Sequence, residues 1–280
     1  MIIQHNMLAS NANRMYGINN VGLKKSAEKL SSGYKVNRSA DDAAGLAISE
    51  VMRRQVRGLS QASANAQDGI SMVQAAEGAL HEAHDMLHRI NELCVKAATD
   101  TMTYEDRSYV QDEIALSIQE LDRLSDIATF NDINMLGGDP ETGDKNAPFK
   151  VKLQIGAETG QYLSFELNFI NASTLGVKDI NVLDDDGSGA SDGIQKVKDA
   201  IIKNSKERAR LGTVHNRLQH TIRNLDNVVE NTSASESLIR DTDMAKEMVS
   251  YSIRNIFSQS SLSLSAQANQ SNNGVLGLLS

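Results

Sequence analysis

Few residues in this 280-residue chain are placed to do chemistry. His81, His84 and His88 fall at i, i+3 and i+7, which is one face of a helix. Imidazoles so spaced could take zinc, but a closed zinc site needs a fourth ligand and ordered outer partners. His81-Glu-Ala-His84 also falls one residue short of the H-E-x-x-H metalloprotease spacing. The face is read as solvated and polar, and no metal is expected. Cys94 is the one cysteine, which excludes a disulfide framework within the chain and any multi-cysteine metal cluster. It sits in an apolar seven-residue row with Leu80 and Leu87 and is read as a small packing side chain. Asn37-Arg-Ser, Asn171-Ala-Ser and Asn231-Thr-Ser match the glycan acceptor pattern, which is too short to define a site. Periodicity brings no Ser–His–Asp or Cys–His arrangement together, and no loop is built to cradle phosphate. The chain is read as no enzyme and as carrying no cofactor.

What could position side chains here is mostly helix. Aromatic residues make up 4% and apolar residues 40%, poor filling for a thick core but enough for thin helix–helix seams. Two prolines, Pro140 and Pro148, leave residues 1–139 and 149–280 open to long helices. The net charge of −8 argues against a nucleic-acid surface. No apolar run is long enough to span a membrane, and the N-terminus lacks the pattern of a secretory signal. Residues 139–192 carry 10 acidic and 4 basic side chains, so most of the negative charge lies in the middle.

The strongest period covers residues 41–98. Met52, Leu59, Ala66, Val73, Leu80, Leu87 and Cys94 recur every seven residues. A second row, from Val56 through Ile70 to Ala97, follows three or four residues behind. This is a sustained heptad seam, roughly 85 Å long as one helix at about 1.5 Å per residue. Gly45, Gly58, Gly69 and Gly78 each weaken such a helix by about 1 kcal/mol against alanine, so tight packing or bending is expected to outweigh propensity. Further helices are expected over Glu105–Ala128, with Thr103 and Asp106 as a capping pair, and over Asp192–Thr232. Weaker amphipathic stretches cover Leu8–Leu30 and Thr242–Gln267, with rows broken by Asn19 and Ser252. Alone in water these would be marginal helices. Phe149–Ile155 and Tyr162–Leu167 alternate by two around a Gly156–Gly160 turn cluster, a hairpin signal. Asp184–Gly193 reads as a flexible acidic loop. The fold class is mainly α, a long antiparallel helical bundle or coiled coil of paired N- and C-terminal segments, with a small β-hairpin region in the middle.

Leu30-Ser-Ser-Gly-Tyr-Lys-Val-Asn-Arg-Ser-Ala-Asp-Asp-Ala-Ala-Gly-Leu46 closely resembles the N-terminal signature of bacterial flagellin. Ser63–Ile70, Thr129–Leu136, Ile239–Ala245, Ala266–Gln270 and Val275–Leu279 resemble further blocks of that family, so the likeness spans essentially the whole chain. It implies a filament subunit whose ends pair as inner-tube helices and whose longer helices form an outer tube. On that reading residues 1–40 and 240–280 are the two halves of the inner-tube domain. Residues 41–183 and 194–239 form the outer-tube domain, and the loop at 184–193 replaces large variable outer domains. The resemblance places inner-tube contacts on Leu8, Ala12, Met15, Leu23 and Leu30, and on Met248, Ile253, Ile256, Leu264, Val275, Leu276, Leu278 and Leu279. Ser261 and Ser265 stand where the family usually has Gly and Leu.

The partners implied are further copies of the chain, junction and cap proteins, and an export chaperone on the C-terminal segment, with no nucleic acid and no membrane insertion. Export unfolded through the flagellar type III apparatus to an extracellular filament is implied as well. Arg89, Leu93 and Glu113 match the family's pattern for contacting Toll-like receptor 5 of a host. The alternative is a hook–filament junction protein of the same superfamily. Independently of the resemblance, ends that cannot bury their apolar rows alone should order only when a neighbour supplies the other side. Repeated contact between unlike surfaces then gives an open helical polymer.

Overall fold

The computed structural model describes residues 6–137, 148–184 and 188–277, with the backbone alone for 272–277. Helix α1 runs over Met7–Ser32. Asn6 caps it by accepting from the Ala9 amide at 3.0 Å. Gly33 ends it at φ 77°, a left-handed position that glycine takes without strain. Helix α2, Ala43–Ala97, is the heptad segment as one unbroken helix of 55 residues. Helix α3, Tyr104–Ile127, starts at the expected capping box, with Thr103 and Asp106 bonding each other's backbone amides. That exchange, chiefly with the Thr103 side chain, holds the Asp106 carboxyl below its ordinary pKa.

Two short strands follow, β1 (Thr129–Phe130) and β2 (Ile133–Asn134). Asn131 and Asp132 turn between them at φ 50° and 63°, the left-handed pair of a two-residue hairpin. The expected hairpin is present as β3 (Phe149–Gln154) and β4 (Tyr162–Leu167), antiparallel, with Phe149 opposite Leu167 and Gln154 opposite Tyr162. A single turn, α4 (Ala172–Leu175), is capped by Asn171, one of the three glycan-pattern asparagines. Helices α5 (Ser188–Arg240) and α6 (Met244–Gly277) complete the chain.

Helix α5 is longer than expected at both ends. Ser188–Gly193 is helical rather than part of the acidic loop. Gly193 is buried there, and an added Cβ would lie 3.3 Å from Cys94 Sγ and 3.1 Å from an Ile180 methyl. Close packing therefore recruits the glycines that suggested a loop. Beyond Thr232 the sequence has no Gly or Pro to stop a helix, and α5 continues to Arg240.

The chain divides into two compact units. One spans Arg57–Val229. Its core gathers Leu80, Leu87 and Ile90 of α2, Ile114 and Leu121 of α3, and Leu211 and Leu218 of α5. The hairpin adds Val151, Leu163, Phe165 and Leu167 from its inward face, while the alternate residues of β4 stay exposed. Gly58 and Gly69 let this hairpin approach α2. A Cβ on Gly58 would sit 2.8 Å from the Ala157 Cβ, and one on Gly69 would sit 2.3 Å from a Leu153 methyl. Gly78 meets nothing within 4 Å, so the tight-packing expectation fails there.

Polar side chains of α3 hold the return strand of chain that leads to α5. Buried Arg107 donates to the Asp184 carbonyl at 2.7 Å and the Thr99 carbonyl at 3.2 Å. Gln111 donates to the Ile180 carbonyl and accepts from the Val182 amide. Asp122 accepts from the Ala172 amide at 2.8 Å.

The other unit combines Met1–Val56 with Glu230–Ser280. It holds α1 and α6 as an antiparallel pair, the opening of α2 and the close of α5. Buried residues are scarce in it. Those of α1 are Gly22 and Ser26.

Candidate assembly surface and recognition face

The α1–α6 pair buries mainly small and polar residues and leaves most of its large apolar ones outside. The covered row of α6 includes Tyr251, Asn255, Ser258, Ser261, Ser265 and Ala268. Ser261 is 7% exposed and its hydroxyl accepts from the Asn19 amide at 3.4 Å. Asn6 donates to the Ala268 carbonyl at 3.0 Å. Arg254 lies directly over Gly22, where a Cβ would collide with its guanidinium. Ser261 and Ser265, which depart from the family pattern, thus lie inside the seam, and Asn19, read as a break in an apolar row, bonds across it.

The residues expected at an inner tube divide accordingly. Ala12, Leu23 and Leu30 are half-buried. Leu8, Met15, Met248, Ile253, Ile256 and Leu264 are exposed, with Leu8 at 72% and Ile256 at 60%. Leu8, Ala12, Met15 and Leu264 line an open groove of about 500 Å³ between the two helices. Val275 and Leu276 lie on the last turn of α6. Leu278 and Leu279 fall outside the described residues.

A joint ties the two helix connections of this unit together, and periodicity gave no sign of it. The Lys35 amide donates to the Arg240 carbonyl at 2.6 Å, and the Thr242 amide to the Gly33 carbonyl at 2.9 Å. Arg240 packs 4.8 Å from the Tyr34 ring centre and pairs with Glu50 at 2.7 Å. Arg53 reaches Glu236 at 3.5 Å. Lys25 pairs with Asp41 at 2.7 Å. Asp42 caps α2 through the Gly45 amide. The Lys25 hydrogen bond holds the Asp41 carboxyl below its ordinary pKa, and the Arg240 hydrogen bond does the same for Glu50. Two family-like blocks, at residues 30–46 and 239–245, converge on this joint. Their convergence is the signal that could have revealed it.

On the α2–α3 surface of the larger unit, Arg89 and Glu113 are exposed and paired, the Arg89 Nε donating to Glu113 Oε1 at 3.1 Å. Arg89 also reaches Glu92 at 3.3 Å. These carboxylates, Glu113 foremost, raise the Arg89 pKa further. Leu93 does not join that surface. It is 2% exposed and belongs to the core, because it lies one turn beyond Ile90 on the buried stripe of α2.

The three histidines do not act as a set. His84 and His88 bring their Nε2 atoms to 3.1 Å with the rings edge to face. His81 instead lies near Asp85, at 3.9 Å. Burial, then the neighbouring His88, lowers the His84 pKa. Among the described residues no group of three or more His, Cys, Asp or Glu is arranged to hold a metal ion. Cys94 is fully buried, and burial pushes its thiol pKa up to about 11. No described helix is long and apolar enough to cross a membrane.

Known proteins identify this arrangement. Residues 3–140 match the family model of the bacterial flagellin N-terminal helical region, and residues 194–279 match that of the C-terminal helical region. The chain belongs to the bacterial flagellin family. It is 44% identical over 283 residues to a flagellin of Halalkalibacterium halodurans, with both chains covered in full. It is 45% identical over 285 residues to the flagellar filament 33 kDa core protein of Treponema phagedenis, again over the whole of both. A solved structure of a protein described as flagellar hook-associated, from Vibrio parahaemolyticus, superposes with a TM-score of 0.59 at 12% identity. It covers 71% of this chain and 99% of that one, and the likeness shows the fold alone. Flagellins are structural proteins.

Proposed function

We propose that this flagellin is the structural subunit of a bacterial flagellar filament and that α1 and α6 are its polymerising elements. One observation carries the reading: the pair satisfies its own seam with serine, asparagine and small residues, and exposes Leu8, Met15, Met248, Ile253, Ile256 and Leu264. Apolar side chains left outside a long helix pair need a second surface, and copies of the chain supply it. Residues 1–40 and 240–280 serve as the inner tube and residues 41–183 and 194–239 as the outer tube. The segment around 184–193 stands in place of larger outward domains. Before assembly the exposed Met248, Ile253, Ile256 and Leu264 call for an export chaperone on residues 240–280. Junction and cap proteins bound the polymer, which lies outside the cell. A Toll-like receptor 5 type receptor would meet Arg89 and Glu113 as a paired charge, with Leu93 supporting them from the core.

The test is electron microscopy of the full chain seeded with filament fragments, beside a chain lacking residues 1–40 and 241–280. Smooth tubes with a narrow channel from the full chain, and soluble helical monomers from the shortened one, are expected. Filaments from the shortened chain would overturn the assignment of α1 and α6. Persistent monomers of the full chain despite good seeds would favour a junction protein.

A further inference from the structure

We propose that His84 and His88 form a two-point chelate for a divalent transition-metal ion on the face of α2. The argument is the bite of the pair. Their Nε2 atoms are 3.1 Å apart, one helical turn from each other. With metal–nitrogen bonds of about 2.05 Å, that separation subtends an angle of roughly 100° at a shared ion. The angle lies between those of tetragonal and tetrahedral ions, so the two nitrogens can take adjacent positions on one ion once each ring turns its lone pair toward it. Either geometry is met by ions that favour imidazole: Cu(II) and Ni(II) in the first case, Zn(II) in the second.

The two nitrogens also compete in the metal-free chain. At 3.1 Å one Nε2 must donate its hydrogen to the other. A metal ion can bind both Nε2 lone pairs once the donating ring, still neutral, has shifted its proton through solvent from Nε2 to Nδ1. The remaining coordination positions are left to water or to a second molecule, which makes the site open and exchangeable. His88 is exposed and His84 half-buried, so the ion has a route in from solvent. His81 is outside the chelate because its ring is turned to Asp85.

The experiment is titration of the full-length monomer with Cu(II) in a non-coordinating buffer, read by electron paramagnetic resonance. One copper with nitrogen ligation is expected. His84→Ala and His88→Ala should each weaken that binding at least tenfold, and His81→Ala less than twofold. Far-UV circular dichroism checks that the variants stay helical, and His88→Ala is the safer of the two because the side chain is exposed. A second reading is thermal: Cu(II) should raise the melting midpoint of the parent chain and not that of His88→Ala. Unchanged copper affinity in either single variant would overturn the chelate. Equal loss in His81→Ala would overturn the pairing. Copper held as tightly by the double variant would be adventitious.

Discussion

At the scale of single residues, the glycines of α2 separate two causes that look alike in a sequence. Gly78 has open space around its missing Cβ, so Gly78→Ala should stabilise the chain by about 1 kcal/mol through helix propensity alone. Gly58→Ala should give no such gain, because the new methyl meets the hairpin turn at Ala157. Its overpacking cost of about 1–3 kcal/mol offsets the propensity term. Urea unfolding of the two variants checks the difference. Cys94 makes a second prediction. With its thiol pKa at about 11 and its side chain fully buried, iodoacetamide near neutral pH should leave it unmodified in the native chain and alkylate it rapidly in denaturant. Mass spectrometry reads both. The packing role of Cys94 was legible from its heptad position. Leu93 shares the α2 stripe with Ile90 and Ala97, so its burial is legible there too, whereas its match to a receptor-contact pattern carries no information on burial.

Elements were legible where a period was long or a cap was explicit. α2 ran within two residues of its expected bounds at the start and one at the end, and Thr103 with Asp106 opened α3 as expected. What escaped was short or set by contacts distant in the chain. β1–β2 is two residues a side and is carried by the Asn131-Asp132 turn. α4 depends on the Asn171 cap. The first turns of α5 depend on Gly193 fitting against Cys94. The seam of α1 and α6 is lined by serines and asparagines, which hydrophobic periodicity does not register. That seam predicts that Ser261→Leu, which inserts a large side chain where Asn19 now bonds, should loosen the pair by about 1–3 kcal/mol. Hydrogen exchange of the α1 and α6 amides would report it, with the α3 amides as an unaffected reference. Thr103→Ala, by contrast, should cost about 0.5–2 kcal/mol through the lost α3 cap.

For the whole molecule, the two compact units differ in what holds them. The Arg57–Val229 unit has a continuous apolar core, whereas the buried residues of α1 are one glycine and one serine. In the monomer, amide exchange in α1 and α6 should therefore be faster than in α2 and α3 by orders of magnitude, and polymerisation should slow it. Acid should act on the same unit first. Asp41 and Glu50 have folded pKa values depressed by Lys25 and Arg240. Their contribution is complete above the ordinary values of 3.8 and 4.5 and is lost as pH falls through the depressed ones. Limited proteolysis along a falling pH series should then open the chain near residues 33–42 and 241–243 once the pH drops below those depressed values, while both segments stay closed at about pH 6.

The joint has a mechanical consequence. Lys35 holds Arg240, Thr242 holds Gly33, and Arg240 is clamped in turn by Tyr34 and Glu50. Neither chain crossing can yield without stripping bonds from the other. A pull or twist applied to α6 thus reaches the two crossings together, in addition to what the α1–α6 seam carries, and the crossings should give way together, as a latch does, at a single load.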